Sequence, residues 1–175
     1  KNLVKKTIAI AEDKIFHFQY PETKEYLEEI GVTLIPWSLY KDEEIPKEAC
    51  TVMIPGGFPE RYAEHISSSK KSLNSLKAFF KKGLIYAECG GMMILGNSIE
   101  DENGQRHKMS EILPFSTKKG KLSVGYRSLK GEKESLLINK GQEIKGHEFH
   151  YWQINNEIKD FENGNSYKKE LFKPP

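Results

Sequence analysis

Short apolar runs rich in β-branched residues alternate with helix-type segments through the first half of this 175-residue chain. This alternation restricts the fold more than any other feature. Strands separated by helices pair in parallel and need helices on both faces of the sheet. Lys6–Ala11 reads as the first buried strand. Pro21 suits the first turn of a helix that puts Tyr26, Leu27 and Ile30 on one face, with Gly31 as its cap. Val32–Ile35, closed by Pro36, is the second strand. Cys50–Ile54, stopped by Pro55-Gly56-Gly57, is the third. Ser67-Ser68-Ser69 offers caps for a helix carrying Leu73, Leu76, Phe79 and Phe80, ending at Gly83. Leu84–Ala87 is the fourth strand.

The second half changes character. Ile99–Met109 is polar around Asn103-Gly104, a two-residue hairpin signal. Leu122–Leu129 and Glu143–Tyr151 read as further strands, so an antiparallel extension of an α/β domain is expected. Residues 1–155 form that domain on this reading, and 156–175 form a charged, poorly structured tail. The chain begins Lys1-Asn2-Leu3, which is expected of a piece of something longer.

Composition narrows the partners. Lysine and arginine number 27 against 25 acidic residues, both signs interspersed, so no basic footprint for nucleic acid stands out. No apolar run approaches the roughly 18 residues that span a bilayer. Cys50 and Cys89 form no metal-type spacing. A soluble, cytoplasmic domain without a metal is expected.

The chemistry concentrates in Leu84-Ile85-Tyr86-Ala87-Glu88-Cys89-Gly90-Gly91-Met92-Met93-Ile94-Leu95. A buried strand runs into a cysteine, two glycines and a helix-forming run, the pattern of a nucleophile elbow. Such a turn is strained and tight, and Ala87 and Gly91 are the small neighbours it needs. The helix end beyond it is expected to favour thiolate. A structural cysteine beside a phosphate-binding loop is the bland alternative. Ile54-Pro55-Gly56-Gly57-Phe58-Pro59-Glu60 follows the third strand, at the sheet end where ligands bind. Gly56 can approach a substrate closely. The Gly57 and Gly90 amides together can form an oxyanion hole; a plain strand-to-helix turn is the alternative. In Gly146-His147-Glu148-Phe149-His150-Tyr151, extended backbone puts Glu148 and His150 on one face and His147 on the other. His150 can activate Cys89 while Glu148 orients its ring or meets substrate; a structural histidine is an equal reading. Phe16, Phe18 and Tyr20 alternate as in sheet packing, and Arg127 reads as one half of a surface ion pair. Glu88 adjoins the nucleophile, with either a site role or a purely structural one.

These motifs, with Leu95-Gly96 and Gly125-Tyr126-Arg127, resemble the C-terminal glutamine amidotransferase domain of cobyrinic acid a,c-diamide synthase, a type shared with cobyric acid synthase. The resemblance runs from about Lys6 to Tyr151. It implies a class I, flavodoxin-like amidotransferase fold in which Cys89 attacks the side-chain amide of glutamine. A glutamyl thioester forms and is hydrolysed, and the ammonia amidates the a and c carboxylates of a tetrapyrrole. ATP and Mg are implied on a separate synthetase part, because no Gly-x-x-x-x-Gly-Lys-Ser/Thr loop occurs here. The family's activating histidine lies on a later strand, and no histidine follows His150. His150 as base is therefore read from chemistry alone. At the His-x-Glu spacing of other class I glutaminases stands Trp152. Two alternatives remain: an inert amidotransferase-fold binding or interface domain, and another cysteine hydrolase of related fold.

Overall fold

The computed structural model describes residues 6–131, 134 and 138–155; the tail assigned to 156–175 lies outside them. Four strands, β1 (Thr7–Ala11), β2 (Thr33–Trp37), β3 (Thr51–Ile54) and β4 (Leu84–Ala87), form a parallel sheet in the order β2-β1-β3-β4. The parallel α/β expectation is met. Alternate side chains Ala9, Ala11, Val52 and Ile54 are buried with Leu73, Leu76 and Phe79 of α3 (Lys70–Phe80) and with Ile66 of α2 (Ala63–Ser68). Burying such aliphatic side chains stabilises by about 1.5–3 kcal/mol each. The opposite face, with Ile8, Ile10, Thr51, Met53 and Tyr86, is covered only in part by α1 (Pro21–Glu29). A cavity of about 360 Å³ remains between them.

Several local readings need correction. Pro36 does not close β2 but sits inside it, paired with Ile10. The missing N–H costs nothing because β2 is an edge strand with no partner on its other side. The serine run caps less than expected. Ser67 and Ser68 end the separate helix α2, and the Ser69 hydroxyl donates back to the His65 carbonyl (3.1 Å) instead of capping α3. Helix α1 buries none of its residues, and Tyr26, Ile30 and Phe80 all stay exposed.

A one-turn helix α4 (Gly90–Met93) leads from β4 into a second sheet, β6-β5-β7-β8, built from β5 (Ser98–Glu100), β6 (Arg106–Lys108), β7 (Ser116–Lys130) and β8 (Glu143–Asn155). It is mixed rather than purely antiparallel, since β5 and β7 run parallel. The β5–β6 loop spans residues 101–105, longer than a two-residue turn. The Asp101 carboxylate explains this by accepting the Asn103 (2.8 Å) and Gln105 (2.9 Å) amides while Gly104 takes a positive φ of 81°. The β7–β8 pair is antiparallel as expected and longer at both strands than the expected Leu122–Leu129 and Glu143–Tyr151, with an irregularity between Lys119 and Ser123. Among the described residues no helix is long and apolar enough to cross a membrane.

Candidate active site

The carboxyl ends of β3 and β4 bring two loops together. Cys89 adopts φ 47° and ψ −116°, a region that costs a non-glycine residue about 1–3 kcal/mol. The surroundings hold it there: the Glu88 amide donates to the Ile54 carbonyl (3.0 Å), the Gly91 amide to Glu88 (2.7 Å) and the Met92 amide to Cys89 (3.1 Å). Gly91 is required because a Cβ there would lie 2.3 Å from the Ile54 oxygen, so the turn can press against β3 only without a side chain. This is the expected elbow, and its residue is exposed to solvent.

The Pro55–Glu60 loop lies directly across. A Cβ on Gly90 would fall 2.5 Å from the Gly57 carbonyl oxygen, and one on Gly56 would lie 3.6 Å from the Cβ of Cys89. Gly57 is itself pinned, since a Cβ there would be 1.8 Å from the Ile15 oxygen. Cys89, Gly90, Gly56 and Gly57 are thus neighbours. Among the described residues no carbonyl accepts from the Gly57 or Gly90 amide, and the Gly90 amide interacts with the Cys89 sulfur. Phe18 bridges to Gly56 (N–H to carbonyl, 3.1 Å) and packs edge-on against Phe58 at 5.0 Å. Of the alternating aromatics, Phe16 is core, Tyr20 is exposed and Phe18 flanks the elbow.

The electrostatics reverse one expectation. The Cys89 thiol is pushed up, not down. Burial is the largest cause, and the Glu60 and Glu88 carboxylates add to it, while the Gly90 amide pulls the other way. Helix α4 has only four residues, too short for its dipole to outweigh them. Glu60 was not singled out from sequence. The residue is only 6% exposed, and burial pushes its carboxyl upward too; the signal was its place ending the Pro55–Glu60 loop. Glu88 accepts a hydrogen bond from the Tyr86 hydroxyl, so it has a structural partner beside the site.

His150 lies on β8 in the other sheet. Its Nε2 is 2.8 Å from Glu148 Oε1 and its Nδ1 is 2.7 Å from the Trp152 carbonyl; among the described residues no hydrogen bond joins it to Cys89. Both ring nitrogens are engaged by these groups, so neither is turned toward a thiol in this arrangement. Glu148 orients the ring as expected and also accepts from Ser123 Oγ (2.7 Å) and Arg127 Nε (2.5 Å). These partners, Ser123 first, hold its carboxyl down at about 2. Arg127 is therefore half of an ion pair. Trp152 donates its indole N–H to the Glu100 carbonyl (2.7 Å). His147 points to the other face, edge-on to Tyr126 at 5.3 Å. Among the described residues no group of three or more His, Cys, Asp or Glu could hold a metal.

The model of the CobB/CobQ-like glutamine amidotransferase domain matches residues 7–169. The chain belongs to this family. The elbow and the facing glycine loop are thus features of an amidotransferase domain. It is 38% identical over 148 residues to cobyrinate a,c-diamide synthase of Salmonella typhimurium, covering 83% of this chain and 32% of that protein. It is 42% identical over 151 residues to the enzyme of the same name from Caldanaerobacter subterraneus (84% and 33%). To hydrogenobyrinate a,c-diamide synthase of Mesorhizobium japonicum it is 37% identical over 150 residues (84% and 34%). The chain spans about a third of the length of these curated relatives. Among solved structures, PurLQS from Thermotoga maritima superposes with a TM-score of 0.57 at 17% identity, covering 85% of this chain and 68% of that one, which shows the shared fold.

Proposed function

We propose that this domain is the glutamine-hydrolysing part of a tetrapyrrole a,c-diamide synthase. The observation that carries the reading is Cys89 at φ 47°, exposed on a strand-to-helix turn with Gly56 and Gly57 packed across it. The sulfur attacks the side-chain amide carbon of glutamine, and its proton passes to the departing nitrogen. The C–N bond breaks, ammonia leaves and a glutamyl thioester remains; water then cleaves the thioester to glutamate and free thiol. The Gly57 and Gly90 amides donate to the oxygen as it gains negative charge, and losing one such donor costs about 10²–10³ in rate. Gly56, with no side chain, leaves room for the substrate beside the sulfur, and on this reading Glu148 fixes His150 and would meet the substrate if β8 brings it to the sulfur.

Because the thiol is pushed up, attack needs a base. For His150 to serve, its Nδ1 must exchange the Trp152 carbonyl for the Cys89 thiol. The ammonia amidates the a and c carboxylates of a cobyrinate-like tetrapyrrole. ATP and Mg, which activate those carboxylates, belong on this reading to the part that the relatives have and this chain does not span; no step here runs through them. A cytoplasmic location fits this chemistry.

The engaged ring of His150 favours a second reading, an amidotransferase fold that hydrolyses nothing by itself. Ammonia release from glutamine separates the two. Release that is abolished by Cys89→Ser and lowered at least about tenfold by His150→Ala supports the first reading with His150 as base. Release indifferent to His150→Ala removes His150 from the mechanism, and no release from the parent chain favours the second reading.

A further inference from the structure

A half-buried strand normally turns its apolar side chains inward and its polar ones to water. The β7–β8 hairpin does the reverse. One face carries Leu122, Val124, Tyr126, Phe149 and Tyr151, all 45–87% exposed. The register sets Val124 opposite Phe149 and Tyr126 opposite His147, so the strip is continuous across both strands. The other face, half-buried, holds the linked Ser123, Arg127, Glu148 and His150, which fix the two strands to each other. A contiguous apolar strip left open to solvent marks an interaction surface.

Its rim identifies the partner. Around this face stand the exposed Lys118, Lys121, Lys130 and Lys145 against Glu143 alone, since Arg127 and Glu148 are paired on the other face. A second copy of this chain would set those lysines against one another. An acidic, apolar-centred surface would meet both features. The curated relatives are about three times as long as the matched part, so such a protein carries a large additional body of its own. We propose that this hairpin face is where the amidotransferase domain docks the remaining, ATP-dependent amidating part of the synthase, through an apolar patch rimmed by carboxylates. The inference rests on the function proposed above.

The test mixes this chain with the separately produced amidating part of the Caldanaerobacter subterraneus synthase and measures binding calorimetrically at low and high salt. Val124→Ser/Phe149→Ser and Lys121→Glu/Lys145→Glu are compared with the parent, and glutamine hydrolysis is followed on the same samples. All four side chains are exposed, so melting temperatures should match the parent's. The parent should bind, and each variant should bind at least about tenfold more weakly. The lysine variant should also lose most of the salt dependence, and hydrolysis by the free chain should be unchanged. No binding by the parent, or undiminished binding by both variants, overturns the proposal. So does a parent dimer that Val124→Ser/Phe149→Ser dissolves, which would make a second copy the occupant. Binding without hydrolysis in any sample refutes the enzymatic reading and leaves the docking face intact; hydrolysis without binding does the opposite.

Discussion

Two adjacent glycines offer a graded perturbation of the site. A Cβ on Gly57 would lie 1.8 Å from the Ile15 oxygen and 2.8 Å from its carbon, both backbone atoms that have no rotamer to change. Relief requires the 55–58 loop to move by about an ångström, which also breaks the Phe58 N–H to Ile15 carbonyl bond at 3.2 Å. Overpacking of this kind costs about 1–3 kcal/mol and the lost bond about 1 more. In a domain of this size that is roughly a 5–15 °C fall in melting temperature. The same displacement shifts Gly57 from its place against Gly90, and a 1 Å misplacement of a catalytic group can cost about 10² in rate. A Cβ on Gly56 meets only Phe18 at 3.3 Å and Cys89 at 3.6 Å, and the Phe18 ring is 47% exposed and free to yield. Gly56→Ala should therefore cost less than about 1 kcal/mol. Thermal unfolding and ammonia release measured on both variants check the contrast. Equal melting temperatures for Gly57→Ala and Gly56→Ala would refute the packing of this loop against Ile15.

Two further outcomes follow from the charges. Since Cys89 is held above the ordinary thiol value, its alkylation should still be rising with pH where that of an ordinary free cysteine has levelled off. Glu60→Gln removes one of the raising charges and should move that profile to lower pH; an unmoved profile would separate Glu60 from the thiol. Glu148, held down at about 2, contributes stability that is fully present above its ordinary value of 4.5 and is lost as pH falls toward 2. Because the side chain is 28% exposed and solvent-screened, the contribution is about 1 kcal/mol. Acid unfolding of Glu148→Gln should lack that step, and an identical acid limb in both proteins would contradict it.

The sequence was most legible where one physical requirement dominated. β1 and β3 are apolar runs because they lie in the middle of the sheet with one face fully buried, whereas β4, expected to be buried, is an edge strand with Leu84 exposed; Cys89 between Ala87 and Gly91 marks a tight turn. Edges are not visible in a single chain, so Pro36 looked like a terminator when it was an edge residue. Helix length is equally hidden, and the expected thiolate depended on a helix longer than the one turn that forms. Glu60 escaped notice because its burial comes from the 3-10 turn Pro59–Tyr62, which packs against α4 from far away in sequence. The pairing of Glu148 with His150 followed from strand alternation; the claim of Trp152 on His150 did not, since it runs through a backbone carbonyl.

The role of the Cys89 sulfur is tested most directly by treating the native protein with a glutamine-mimicking electrophile and mapping the adduct by mass spectrometry. The expected result is stoichiometric modification of Cys89, protected by excess glutamine, with Cys50 untouched. Modification of Cys50 instead, or of neither cysteine, would contradict the assignment of Cys89 as the nucleophile.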